Sequence, residues 1–438
     1  MDFMNEFGIK NLGTCRFESP LENLLDSEGH SFRFIRENER VMLQHRLTDL
    51  LKYSGNLEEA PSLELAGPRK NIYFNPPETS IGIVTCGGLS PGLNNVIRDL
   101  VMSASHIYRV PRIIGFRYGY RGIAEQDLHV LLTTRSVTDI HEQGGSILGS
   151  SRGDQDAGKM IDRLQALGVN ILFVIGGDGT MRGALTLCDE IAKRKANISI
   201  IGIPKTIDND FRYMDQSFGF DTAYAKAVEA IDGAHREAEG APNGIGMVKL
   251  MGRHAGFIAC AATLASNQVN FVLIPEIPFR LDGPNGFLEA LHKRLVKREH
   301  AVIVVAEGAG QDLLKNAGTE KDASGNIRLM DIGLFLAERI KEHFKKIKME
   351  INLKYIDPSY IIRSIKANPA DSLLCTALAF NAVHAGMCGK TELVVAMYRR
   401  SLVHVPMQQV IASRNQVDPN GALWLNVIAS TGQPIAFY

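Results

Sequence analysis

Two apolar runs, each closed by a loop of glycine and acid, constrain this chain more than any other feature. "VNILFVI" leads into "GGDGT" (residues 176–180), and "ISIIGI" leads into "PKTIDND" (residues 204–210). A run rich in β-branched residues and without polar alternation reads as a strand buried on both faces, as in a parallel sheet. The same kind of run recurs in "SIGIVTC", "PRIIGFR", "GMVKLM", "NFVLIPE", "AVIVVAEG" and "ELVVAMY". Between these lie helical stretches such as "GLNNVIRDLVMSASHI", "AGKMIDRLQALG", "DTAYAKAVEAIDGAHREAE" and "LHKRLVKRE". In the third of these, Asp221 is placed to cap the helix start. The alternation predicts an α/β chain with parallel sheets covered by helices on both faces. Loops after such strands are where α/β proteins place their chemistry.

At 438 residues the chain is long for one core. Two doubly wound, Rossmann-like three-layer lobes are expected, with the cleft between them as the default place for a ligand. Residues 1–78 are charged and irregular and read as an N-terminal extension, either wrapping or pairing subunits or left as a mobile tail. The 48 basic side chains are matched by 48 acidic ones, so no global field draws the chain to nucleic acid or an anionic membrane. Any phosphate must be held by a local arrangement. Six cysteines are scattered without metal-ligand spacing, which suits a reducing, cytoplasmic compartment. The start, "MDFMNEFGIKNL", lacks the order of a secretion signal, and no apolar run approaches the ~20 residues of a membrane span.

Several loops carry candidate chemistry, and each has a bland alternative. "CGGLSPGLN" (86–94) joins a strand to a helix, where glycines let backbone N–H groups approach an anion. The same glycines serve equally well in a purely steric turn. In "GGDGT", Asp178 can hold a Mg²⁺ that bridges phosphate oxygens, or it can simply cap the helix. Asp208 and Asp210 stand two apart in what reads as an extended loop, so their side chains share a side. Two such carboxylates repel unless separate tasks hold them; an acidic turn is the alternative. "KLMGRHAG" offers Arg253, a guanidinium suited to phosphate, against the alternative of a surface ion pair. His254 beside it reads as packing or solvated. "VVAEGAGQ" sets Glu307 just past a buried strand, and "DPSYIIRS" supplies Tyr360 and Arg363, with Lys354 upstream as a further phosphate anchor.

Taken in order, CGGLSPGLN, LGSSRG, GGDGT, PKTIDND, KLMGR and AEG resemble the 6-phosphofructokinases, from about residue 79 to beyond 390. GGDGT alone is shared with NAD kinases and diacylglycerol kinases; TIDND and MGR narrow the resemblance. It implies phosphoryl transfer to the 1-hydroxyl of fructose 6-phosphate, with ATP and Mg²⁺. By motif, Asp208 resembles the general base, with Thr206 and Asp210 beside it. Asp178, with Asp210 as a second candidate, resembles the Mg²⁺ anchor. Gly87, Gly88, Ser151, Gly177, Gly179, Thr180 and Lys205 fall in the donor site, while Arg152 and Arg253 would neutralise the transferred group. Met251, Gly252, Glu307, Lys354, Tyr360 and Arg363 fall in the sugar-phosphate site. The implied division is a donor lobe of 79–218 and 362–408 and a fructose 6-phosphate lobe of 219–361 and 409–438. A homo-oligomer, tetramer or dimer, is the family's expectation.

Two departures stand out. Many bacterial members carry an arginine where this chain has Gly244, and a family arginine for the 6-phosphate corresponds to Lys354. The donor residues give mixed signs. Pyrophosphate users typically carry an aspartate where this chain has Gly179, but they share a lysine at the place of Lys205. Gly179 weighs more, because it decides whether a nucleotide fits, and it favours ATP over pyrophosphate. An NAD or lipid kinase would leave Arg253, Glu307 and Arg363 without a task. A non-catalytic paralogue would be expected to lose Asp208 or Asp178, and both are present.

Overall fold

The computed structural model describes residues 6–21, 33–151, 153, 155–314 and 329–438. The chain divides into two compact units. The first comprises Met1–Thr206, Phe211–Phe218 and Ile365–Arg414; the second comprises Ile207–Asp210, Gly219–Ser364 and Asn415–Tyr438. The described part of the N-terminal segment, 6–21 and 33–78, belongs to the first unit, and the PKTIDND motif is split after Thr206.

Among the described residues, the large sheet of the first unit has nine strands. Their order is Arg40–Met42, Ser62–Leu65, Ser401–Pro406, Leu393–Tyr398, Ser199–Pro204, Ile171–Gly176, Ser80–Thr85, Arg112–Phe116 and His129–Leu131. The strands from Leu393–Tyr398 to Arg112–Phe116 run parallel. Beyond them on either side the pairing is antiparallel, so the sheet is mixed rather than wholly parallel. The apolar runs explain the layering. Ile171, Phe173 and Ile175 pack with the helices Leu93–His106 and Pro369–Met387 on one face. Leu172 and Val174 pack with Ala157–Ala166 and Asp178–Arg194 on the other. Period-two alternation thus feeds two cores at once, which is why these strands show no polar positions.

The N-terminal strands Arg40–Met42 and Ser62–Leu65 lengthen the sheet at its far edge. They are pinned there by a buried charge cluster, with Glu64 facing Arg69 at 3.0 Å, Lys390 at 2.7 Å and His404 at 2.9 Å. Burial alone would push the Glu64 carboxyl up, but His404 and Lys390 outweigh it and hold it at about 2.

The second unit is a four-stranded parallel sheet in the order Phe271–Leu273, His300–Ala306, Gly244–Leu250, Asn352–Ile356. Val248, Leu250, Val302 and Val304 face the helices Phe220–Glu239, Phe257–Ser266 and Ala422–Thr431. Ile245, Met247, Ile303 and Val305 face Phe287–Arg298 and Ile332–Lys346. The helix expected to be capped by Asp221 is capped by Gly219 at φ 91°, and Asp221 lies inside the first turn. A left-handed residue that bends the chain into the helix favours glycine there, and Asp221 instead complements the positive helix end.

Candidate active site

The motifs expected to bind the donor converge within the first unit at the ends of its parallel strands. Lys205 follows the Ser199–Pro204 strand, is buried, and its backbone N–H donates to the Gly176 carbonyl at 2.9 Å. Its Nζ would lie 3.5 Å from a Cβ placed on Gly87, whose φ of 84° requires glycine. A Cβ on Gly177 would meet the Lys205 carbonyl at 3.3 Å. The glycine turns after two different strands and the lysine after a third therefore form one polar cradle. Gly88 is half-buried next to Gly87. The Ser151 carbonyl accepts from the Gly87 N–H at 3.3 Å, while the Ser151 hydroxyl donates to the Tyr118 carbonyl at 2.5 Å. Arg152 lies outside the described residues.

Asp178 opens the helix Asp178–Arg194 but does not cap it, because Gly177 is the cap residue. Its Oδ2 instead meets Arg414 at 2.6 Å and Arg182 at 3.5 Å. Arg414, at a β-bridge with Phe211, escaped the sequence reading because no motif marks it. Both ion pairs fall on one oxygen. Mg²⁺ takes one or two carboxylates and completes its shell with water and phosphate rather than a protein cage. One carboxylate with Oδ1 outside those ion pairs, beside a polar cradle, fits that donor set. Thr180 is an exception among the donor residues. Its side chain is buried against Gly176, where a Cβ would come within 2.3 Å of its Oγ1, and its carbonyl accepts from Tyr120 at 2.6 Å. Gly179 is exposed in the first turn of the helix. Its φ is not in the left-handed region, so the backbone does not demand glycine.

The acceptor-side motifs converge within the second unit. The Glu307 N–H donates to the Leu250 carbonyl at 2.9 Å and the Gly308 N–H to the Gly252 carbonyl at 3.1 Å, stitching the AEG and MGR loops together. Gly308 must be glycine, since a Cβ would lie 2.0 Å from the Arg253 carbonyl oxygen. The Arg253 N–H in turn donates to Asp208 Oδ2 at 3.2 Å. TIDND, MGR and AEG, distant in sequence, thus meet at one place.

The TIDND loop is a turn rather than the extended segment expected. Asn209 sits at φ 56°, in the left-handed region that asparagine tolerates, and reverses the chain between the two aspartates. Asp208 and Asp210 still lie close enough to feel each other's charge. Asp208 is pushed well above the ordinary carboxylate range by burial first, then by the charges of Asp210 and Glu307. The Arg253 N–H and guanidinium oppose that rise without cancelling it. Asp208 Oδ1 is buried and has no hydrogen-bond partner among the described residues. Glu307 is likewise raised by burial, with Arg253, Lys249 and Arg363 pulling it back. Lys249 is fixed between Asp331 at 2.7 Å and Asp357 at 2.9 Å. The sequence reading assigned neither acid a role.

The remaining sugar-side residues divide. The Arg363 guanidinium lies 4.9 Å from the centre of the Tyr360 ring, and that ring is strongly exposed. Met251 is buried in the core, so its side chain is not available to a sugar and only its backbone is. Gly252, at φ 130°, lets the loop pass Ala255 and Ala306. Lys354 is exposed on the strand Asn352–Ile356, and among the described residues no hydrogen bond or ion pair joins it to the others. Gly244 opens its strand, where a Cβ would lie 2.0 Å from the Ala238 carbonyl oxygen. No arginine fits that position here, which explains the departure seen in the sequence.

The chain is similar to known proteins over most of its length. The phosphofructokinase family profile matches residues 80–386. An ATP-dependent 6-phosphofructokinase of Amycolatopsis methanolica is 49% identical over 442 residues, spanning 99% of this chain and 96% of the relative. One of Borreliella burgdorferi is 46% identical, spanning 98% and 97%. Among solved structures, a pyrophosphate-dependent phosphofructokinase from Marinobacter aquaeolei is similar with a TM-score of 0.66 at 19% identity, covering 82% of this chain and 93% of that one. A Pichia pastoris phosphofructokinase gives 0.63 at 21%, covering 81% and 37%. The structural likeness is one of fold, while the sequence likeness runs through every loop described above. Across almost its whole length, this chain belongs to the phosphofructokinase family.

Proposed function

We infer that this chain is an ATP-dependent 6-phosphofructokinase, transferring the γ-phosphoryl of ATP to the 1-hydroxyl of fructose 6-phosphate to give fructose 1,6-bisphosphate and ADP. The observation that carries the chemistry is Asp208, half-buried, held at Oδ2 by Arg253 and crowded by Asp210 and Glu307. A carboxylate raised by its surroundings is a better proton acceptor than an ordinary one and suits the removal of a hydroxyl proton at near-neutral pH. The C1 oxygen forms its bond to the γ-phosphorus as its proton passes to Asp208, and the bond to the β,γ-bridging oxygen breaks to release ADP. Arg253 stabilises the charge spread over the transferred group.

Donor binding is assigned to the first unit, through Gly87, Gly88, Gly177 and Lys205. Asp178, with Asp210 as a second candidate, is assigned to a Mg²⁺ that offsets phosphate charge when bound. Acceptor binding is assigned to the second unit, through Gly252, Arg253, Glu307, Tyr360 and Arg363. Lys354, which among the described residues no hydrogen bond or ion pair joins to that cluster, is assigned to the 6-phosphate site of a neighbouring copy, which belongs with a homo-oligomer, dimer or tetramer. Light scattering of the purified chain tests the assembly. A cytoplasmic location is part of the same reading; among the described residues no helix is long and apolar enough to cross a membrane.

The names of similar relatives and a small, exposed residue at Gly179 support ATP over pyrophosphate. A coupled assay supplying either donor at equal concentration tests this choice. Faster turnover with ATP is expected, and faster turnover with pyrophosphate would reverse the assignment.

A further inference from the structure

We propose that His235, Glu239 and His300 form a binding site for a divalent transition metal ion of the zinc type, separate from the phosphoryl-transfer residues. His235 and Glu239 are four residues apart in the last turns of the helix Phe220–Glu239, so they share one face. His300 opens the strand His300–Ala306 on which that helix packs. One ring nitrogen from each histidine and one carboxylate oxygen lie within 4.8 Å of one another. His235 Nε2 is 3.3 Å from Glu239 Oε1, and the two imidazole rings are 5.5 Å apart.

The surroundings orient these donors as a metal site requires. His300 Nδ1 lies 3.0 Å from the Arg298 carbonyl, an acceptor only, so that nitrogen carries the proton and Nε2 keeps its lone pair. Arg236 holds Glu239 Oε2 at 2.8 Å and leaves Oε1 facing the histidines. Zinc sits about 2.0–2.2 Å from such donors, so side-chain movements of roughly 1 Å close the set, and the exposed edge at Glu239 leaves a fourth position for water. Two imidazoles with one carboxylate favour zinc, cobalt or nickel over the oxygen-seeking Mg²⁺. His300 starts a strand whose last residue, Ala306, precedes Glu307; at about 3.3 Å per residue the two ends lie about 20 Å apart. The ion would staple a helix end to the start of an interior strand, at the end of that strand away from Glu307.

The test uses the full chain after chelator treatment, titrated with Co²⁺ and then Zn²⁺. One equivalent of Co²⁺ should give the visible absorption of a low-coordinate complex, bleached by Zn²⁺. Zn²⁺, but not Mg²⁺, should raise the melting temperature. Glu239→Gln, at an exposed position where folding is safe, and His300→Gln should each weaken binding at least about tenfold. Both variants should leave turnover in the absence of zinc unchanged. Cobalt binding that survives in the His235→Gln/His300→Gln double variant, or a chain that takes up no Co²⁺ at micromolar concentration, would overturn the proposal.

Discussion

In the first unit the carboxylate of Asp178 rests against two guanidinium groups, Arg414 at 2.6 Å and Arg182 at 3.5 Å. In the second, Asp208 is half-buried beside two further acids, Asp210 and Glu307, with only an N–H and the charge of Arg253 in its favour. The same residue type is therefore kept in opposite conditions. The first carboxylate is held by two guanidinium groups through one oxygen. Crowded by acids, the second gains affinity for a proton and suits a base, at a cost to stability.

The sharpest way to break this contrast is Asp208→Asn. Turnover should fall by roughly 10²–10⁴-fold while fructose 6-phosphate binding is nearly kept, measured by steady-state kinetics and calorimetry. The same variant should melt at a higher temperature than the parent at pH 8. The sign follows from linkage. An acid whose folded pKa is raised binds more protons folded than unfolded, so stability falls as pH rises from the unfolded pKa towards the folded one. Removing the charge recovers that loss, at roughly 2–4 °C per kcal/mol for a unit of this size. A lower melting temperature would contradict the crowding argument.

Gly179→Asp comes next. It should lower kcat/KM for ATP at least about tenfold, through like charge beside the nucleotide phosphates, and affect pyrophosphate use less. Equal losses with both donors would mean that space at Gly179 is not what selects ATP. The pH profile refines the comparison further. With Asp208 as base, kcat should fall as pH drops through a pKa above the ordinary carboxylate range, and Glu307→Gln should move that limb to lower pH by removing one of the repelling charges. A limb that stays in place would remove Glu307 from the cluster's electrostatics. The smallest effect on stability is expected at Asp178→Asn. It should lower stability by up to about 1 kcal/mol in denaturant unfolding, because partly exposed ion pairs contribute little. Its sign is opposite to that of Asp208→Asn.

Much of the fold was legible because both-face burial leaves a plain signature. Ile171, Phe173 and Ile175 serve one core and Leu172 and Val174 the other, so the run must be apolar throughout. The edge strands Arg40–Met42 and Ser62–Leu65 are short and held by the ion cluster around Glu64, and partners such as Lys390 and His404 lie more than three hundred residues away in sequence. No local pattern reports such a pairing. The TIDND turn was missed for a smaller reason: Asn209 adopts a left-handed conformation that a single residue type permits without announcing.

The sequence by itself determined which residues are available for chemistry and that they follow buried strands, because strand periodicity and glycine turns are local properties of the chain. Tertiary structure alone decided what surrounds each acid. Arg414 reaches Asp178 across more than two hundred residues, and Glu307 reaches Asp208 across about a hundred. The charge state of a carboxylate is set by burial and by neighbours a few ångströms away, and those neighbours exist only once the strands are in register.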